Sequence, residues 1–328
     1  MKKILLATTA LVGFAGAASA EITLSGYAEI GVDGGNLGYT TQFHNDWQVN
    51  FNFASETDGG LSFGGKVQIE ESNSPQAING ALKIDDEAFW VSGSFGKVTL
   101  GETAGALDWA VPEIFSGTAI SDDHSTHAGV YWNTGLDGSF GDQIARYEYS
   151  FGDFGAAFSL EMDDTGVNDP VLGLGGKWSG SMSGMEVNAG IGYEDNGTLS
   201  TWSLAATAKM TNGMSVALGY ADFSNTATAG FSDYVGNGVA VDSWVGIGVA
   251  YNTGALTVGA NYGMYSAAIA GEGDPKGFGI VANYDLGGGA VAMFGYGSSS
   301  GSSSLGANYG NGNGHGTKTW SAGLGMSF

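Results

Sequence analysis

The sequence predicts an all-β fold, a sixteen-stranded antiparallel transmembrane barrel, and three observations predict it. Apolar residues recur at every second position in segment after segment, the segments are joined alternately by tight glycine turns and long polar loops, and helical periodicity is nearly absent. Successive side chains of an extended chain point to opposite faces, so a period of two makes one apolar face and one polar face.

Composition agrees with one large all-β unit rather than two ordinary domains. Of 328 residues 59 are glycine and only 4 are proline, and no run after residue 20 is both long and apolar. The mean hydropathy of +0.02 fits neither a helical membrane protein nor an ordinary soluble acidic one. There is no cysteine, so neither a disulfide framework nor a thiolate metal site is available. The formal net charge is −23, and the first twenty residues hold two lysines and no acid, so the remainder is more negative still. Such a surplus repels phosphates and attracts cations, which argues against a nucleic-acid partner.

Residues 1–20 open with Lys2 and Lys3, continue through an apolar stretch from Ile4 to Ala17 and close on the small residues Ala18, Ser19 and Ala20. This is the pattern of a cleaved signal peptide. The expected domain organisation is therefore a signal peptide over 1–20 and a single barrel domain over 21–328.

From Glu21 the alternation begins at once: Ile22, Leu24, Ala28, Ile30 and Val32 lie on one face, with Thr23, Ser25, Tyr27 and Glu29 on the other. Val49, Phe51 and Phe53 follow, then Leu61, Phe63, Val67 and Ile69, then Tyr147 to Phe151 and Phe154 to Met162. Further apolar sets start at Leu172, Met185, Leu204, Met214, Val245, Leu256 and Phe278. The last runs Trp320, Ala322, Leu324, Met326 and Phe328. Seven short turns stand at 57–60, 94–96, 152–155, 181–184, 211–213, 252–254 and 286–289, where Asn and Gly supply the positive φ of hairpins. Eight long stretches lie between them, at 33–42, 71–85, 103–142, 163–169, 194–198, 221–241, 265–276 and 297–316. An even strand number, short turns at one rim and long loops at the other describe a transmembrane barrel, and strands of about 9 to 11 residues suffice to cross a bilayer. A soluble sandwich is the competitor, but sixteen such strands would leave open edges that invite aggregation, whereas closure removes them.

Parity assigns the faces. With the apolar set outward, Lys66, Arg146, Lys177 and Lys209 fall inward with Glu29, Glu70, Glu148, Glu161 and Glu186. The reverse register would place those cations in lipid at roughly 2–4 kcal/mol each near the midplane. Outward aromatics near strand ends, Tyr149, Phe151, Tyr193, Tyr251 and Tyr284 among them, read as interfacial girdles. A barrel of sixteen strands is too wide to fill with its own side chains, so the polar face lines water.

The stretch 103–142 is far longer than an ordinary connection. Its Trp109, Val111, Ile114 and Phe115 are too apolar for a solvated tail, and the nearest surface inside a wide barrel is the inner wall. Asp122, Asp123, His124 and His127 are of metal-ligating type, but a polar loop tip in an acidic protein is the better explanation of them. Gly297 to Gly301, G-S-S-S-G, matches a hydrolase elbow in letters but lacks the strand-to-helix setting that the elbow needs.

E-I-T-L-S-G-Y-A at 21–28, F-G-K-V-T-L-G-E-T-A-G-A-L at 95–107, Y-D-L-G-G-G-A at 284–290 and the terminal Phe328 resemble the alpha-proteobacterial, Rhodobacter-type general porins of Gram-negative outer membranes. The resemblance spans essentially the whole chain after residue 20. It implies an outer-membrane homotrimer in contact with lipid and lipopolysaccharide, passing small hydrophilic solutes and cations without a catalytic step. It also implies a third loop folded inward as an eyelet, with Asp108, Glu113, Asp122 and Asp123 facing basic wall residues drawn from Lys66, Arg146 and Lys177. Phe328 would be the signal read by the outer-membrane assembly machinery. No cofactor is implied, although calcium could sit at the loop carboxylates. The sequence departs from the family in having a single arginine, so the family's arginine cluster is missing and cation selectivity is expected. The rival readings are an outer-membrane barrel enzyme and a surface adhesin or receptor.

Overall fold

A computed structural model describes residues 21–36, 40–71, 82–141, 143–224, 240–271, 273–300 and 317–328. The signal peptide expected over 1–20 and the glycine-asparagine stretch at 309–316 lie outside the described residues. Sixteen strands close into one antiparallel barrel, each paired with its sequence neighbours and β1 paired with β16.

The strands are β1 (Glu21–Gly35), β2 (Gln42–Glu56), β3 (Ser62–Glu71), β4 (Leu82–Gly93), β5 (Gly96–Glu102), β6 (Gln143–Phe151), β7 (Phe154–Glu161) and β8 (Val171–Met182). There follow β9 (Met185–Asp195), β10 (Ser200–Lys209), β11 (Met214–Ser224), β12 (Val241–Thr253), β13 (Leu256–Ala267), β14 (Lys276–Gly287), β15 (Ala290–Ser300) and β16 (Lys318–Ser327). The expected short turns and long loops alternate as the sequence reading had them. Several strands run into stretches read as loop, β1 to Gly35, β11 to Ser224 and β13 to Ala267 among them. β4 begins at Leu82, inside the stretch read as loop, because Lys83 and Leu82 still pair with Glu70 and Glu71. β15 runs on to Ser300 because Ser298 pairs with Lys318 and Ser300 with Lys276. The letters G-S-S-S-G are thus mostly strand.

The outward parity holds throughout. Ile22, Leu24, Leu100, Phe158, Ile191, Leu218 and Phe278 all lie exposed on the barrel's outside, an arrangement that only lipid can accommodate at this scale. Phe328, 78% exposed, ends that face. Its backbone closes the seam: Phe328 N donates to Gly26 O at 2.9 Å and Gly26 N donates to Phe328 O at 3.1 Å.

Inside, the buried apolar residues belong chiefly to the third loop, L3 (103–142), and to the wall beneath it. L3 carries a short helix, α1 (Ala106–Ala110), and a 3₁₀ turn over Ile120–Ser125. Ile114, Tyr131 and Leu136 of L3 pack with Ala217, Phe223, Trp244 and Tyr265 of β11–β13, while Leu107, Ala110 and Val111 pack with Ala205 of β10. The barrel's core is a loop-on-wall interface.

Candidate functional site

L3 advances around the inner wall almost strand by strand. Ala106 N donates to Ser159 Oγ of β7 at 2.9 Å, Leu107 lies on Gly192 of β9, and Ile114 lies on Gly219 and Gly246 of β11 and β12. Asn283 of β14 donates to Thr118 O at 2.8 Å, Ala119 meets Gly295 of β15, and Ile120 meets Gly323 of β16 and Gly31 of β1. At the tip Ser121 Oγ lies 2.8 Å from His44 Nδ1 of β2 and donates to Asp33 Oδ2 at 3.3 Å. Ser121 and Asp122 both take left-handed φ, 56° and 47°, which reverses the chain there. The return limb then retraces the wall: Ala128 N donates to Ser299 Oγ at 2.9 Å, Trp244 Nε1 to Gly129 O at 2.8 Å, Tyr265 OH to Val130 O at 2.6 Å, and Leu136 N to Glu194 Oε2 at 2.5 Å.

The loop gets this close because the wall under it is glycine. A Cβ at Gly248 would collide with Ile114 O, and one at Gly279 with the backbone of His124. At both positions backbone rests on backbone, which only glycine permits. Part of the chain's high glycine content is explained by this track, beside the positive-φ glycines of the turns.

The wall that L3 leaves uncovered, from β3 to β6, is charged. Lys66 Nζ lies 2.5 Å from Asp86 Oδ2, and Lys83 Nζ lies 2.5 Å from Asp85 Oδ1, with Glu70 and Glu102 beside them. Arg146 Nε donates to Glu148 Oε2 at 2.9 Å and its Nη1 donates to Ala104 O and to Thr103 Oγ1. Lys97 Nζ lies 3.9 Å from Glu148 and over the Trp90 ring. Lys177 Nζ sits 3.4 Å above the Trp109 ring centroid and donates to Trp109 O at 3.2 Å. Arg146 and Lys177 therefore clamp the root of L3, and Lys66 faces a carboxylate on its own wall.

Of the loop acids singled out in the sequence, Asp108 lies partly exposed on α1, away from the wall-facing Ala106, Leu107 and Ala110, and Glu113 and Asp122 are likewise half-buried. Asp123 lies behind the loop at 0% exposure, beside Thr319 and Ser321, and burial raises its pKa to about 7. His124 and His127 are buried as well. His127 Nε2 donates to Asn261 Oδ1 at 2.5 Å, Asn261 Nδ2 donates to His124 O at 2.7 Å, and His124 Nε2 donates to Gly117 O at 3.1 Å. Asp123, His124 and His127 thus lie against β13–β16 in different directions, and Asn261 of β13 ties His127 and the His124 carbonyl to the wall. Among the described residues no three His, Asp or Glu side chains converge as metal ligands would.

Sequence reasoning missed Asp85, Asp86 and His44. A signal for the first two existed: outward Leu82 and Ile84 give way to outward Phe89 and Val91, so the alternation slips by one residue between them.

A closed sixteen-stranded barrel with lipid outside, a charged inner wall and an inner loop that narrows the bore is a transmembrane channel protein. The family profile described as Gram-negative porin matches residues 7–304, and the chain belongs to that family. It is 28% identical over 302 residues to the porin of Rhodobacter capsulatus, covering 84% of this chain and 93% of that one. Its fold is similar to that of a porin refined at 1.8 Å, with 22% identity, 94% of this chain and 100% of that chain covered, and a TM-score of 0.67. A mutant of Rh. blastica porin is similar to the same extent, with 17% identity, 94% and 100% coverage and a TM-score of 0.67. The protein is an outer-membrane general diffusion porin.

Proposed function

We propose that the pore is cation-selective and that its constriction is bounded by Asp108, Glu113 and Asp122 on L3 and by Lys66 and its acidic neighbours on the facing wall. The observation that carries this reading is the pairing of the wall's cations. Lys66, Lys83, Lys97 and Arg146 each have a carboxylate partner, and Lys177 is held on Trp109, while Glu70 and Glu102 add further negative charge. Selectivity in a wide channel follows the field and the desolvation at its narrowest ring. A potassium chloride gradient across a planar bilayer is expected to give a reversal potential of the sign set by potassium, and chloride preference would refute the reading.

Passage of ions and small hydrophilic solutes needs no chemical step, so the protein acts as a conduit and not as an enzyme. The family resemblance supports a homotrimer embedded among lipid and lipopolysaccharide, which cross-linking in detergent tests directly by yielding or failing to yield a trimer. Residues 1–20 serve as the export signal, removed before assembly. Phe328, exposed at the end of the closing strand, serves as the assembly signal. Phe328→Ala is expected to lower the amount of folded barrel in outer-membrane fractions several-fold, while leaving the conductance of the channels that do form unchanged.

A further inference from the structure

β4 does not run regularly. Lys66 of β3 pairs with Ala88 and Gln68 with Asp85, so Asp86 and Glu87 together stand opposite Val67. This two-against-one arrangement is a β-bulge, a device that re-aims a side chain. Asp86 takes the left-handed conformation, φ 53°, and its N–H donates to Glu102 Oε2 of β5 at 2.9 Å. The bulge turns the Asp86 carboxylate into the lumen, where its Oδ2 meets Lys66 Nζ at 2.5 Å; Lys66 also reaches Gln68 Oε1 at 3.5 Å. Through Ala88, Lys66 stands level with Gly101, two residues before L3 leaves β5. The pair thus lies at the height of the loop's root, where the bore narrows.

We infer that Asp86 is a specificity-determining residue of the pore: the β4 bulge places its carboxylate on Lys66, a wall cation that neither L3 nor Glu148 engages, and so masks that positive charge. This deepens the cation-selective reading and rests on it. Without the extra residue, regular alternation would leave Lys66 facing permeating ions as a free positive charge, attracting anions at the constriction. The bulge therefore decides whether this stretch of wall offers a masked or a free ammonium group.

The test uses the full-length protein, Asp86→Asn, Lys66→Met and the double variant. Asparagine tolerates left-handed φ, so Asp86→Asn keeps the bulge; retention of the barrel is checked by the heat-dependent shift on electrophoresis. In a potassium chloride gradient Asp86→Asn is expected to lower the potassium-to-chloride permeability ratio at least threefold, and the double variant to return it close to that of the unaltered protein. A sulfonated, amine-acylating reagent added to the bath should reduce conductance rapidly in Asp86→Asn, slowly in the unaltered protein and not at all through this site in the double variant. Equal labelling of Lys66 with and without Asp86, or an unchanged permeability ratio in Asp86→Asn, overturns the inference. Chloride preference in the unaltered protein instead overturns the cation-selective reading, and the labelling comparison still decides whether Asp86 masks Lys66.

Discussion

Gly279→Val is expected to raise the single-channel conductance severalfold. The wall glycine supports the His124 backbone directly, and a β-branched side chain there has nowhere to go. Valine itself suits a strand, so β14 should keep its ladder and the barrel should still form. What must yield is L3. Its hold on this sector depends on Asn261 and His127, whose 2.5 Å and 2.7 Å hydrogen bonds require the loop to stay in register with β13 and β14. Lifting the 3₁₀ turn off the wall breaks both, leaves buried polar groups unpaired at about 1–3 kcal/mol each, and releases L3 to swing out of the bore. Recordings in planar bilayers check the result, and openings of unaltered size in a correctly folded variant would show that L3 does not set the bore.

The second large effect concerns acidity. His124 and His127 are neutral in the docked loop, and burial lowers the pKa of each from 6.5 to about 4. An undocked loop takes up their protons at about 6.5, so between pH 6.5 and 4 these two groups weaken docking as the pH falls. The full shift corresponds to roughly 3 kcal/mol for each group. Asp123 and Asp137 act in the opposite sense. Burial raises both from 3.8 to about 7, with Asp33 and Asp122 adding to the effect at Asp123, and Asp108 and Glu161 at Asp137. Between pH 7 and 4 the docked loop holds those protons and an undocked loop does not, so these groups strengthen docking as the pH falls. The two pairs oppose each other over one window, and the unaltered pore is expected to keep its conductance from pH 7 to pH 4. Asp123→Asn together with Asp137→Asn removes one side of the balance. In that variant conductance should climb as the pH falls below about 6, and a trace as flat as that of the unaltered protein would contradict the assignment.

How much of this was legible in the sequence differs sharply between wall and loop. The strands were readable because lipid outside and water inside impose a period of two over most of their length, and because glycine and asparagine mark the hairpins chemically. That L3 turns inward was readable from Trp109, Ile114 and Phe115. Its path was harder, although traces of it were present: Phe223, Trp244 and Tyr265 sit on the parity otherwise given to polar and tiny residues, and these three rings receive Tyr131 of the returning limb. The difference between Asp122 and Asp123 was not readable. They are adjacent and identical, and only the pair of left-handed residues at the tip decides that one is half-buried and the other fully enclosed. Alternation likewise gives no partner for Lys66, because its partner arrives through a slip in the pattern rather than through the pattern itself.

The glycine track separates two jobs that most proteins assign to the same side chains. Strand pairing is carried by main-chain hydrogen bonds and the outer greasy face, neither of which involves the surface beneath L3. The sleeve can therefore stay as it is while its liner is trimmed, lengthened or recharged, and the diameter of the passage becomes a property that a single segment can alter without rebuilding the cylinder around it.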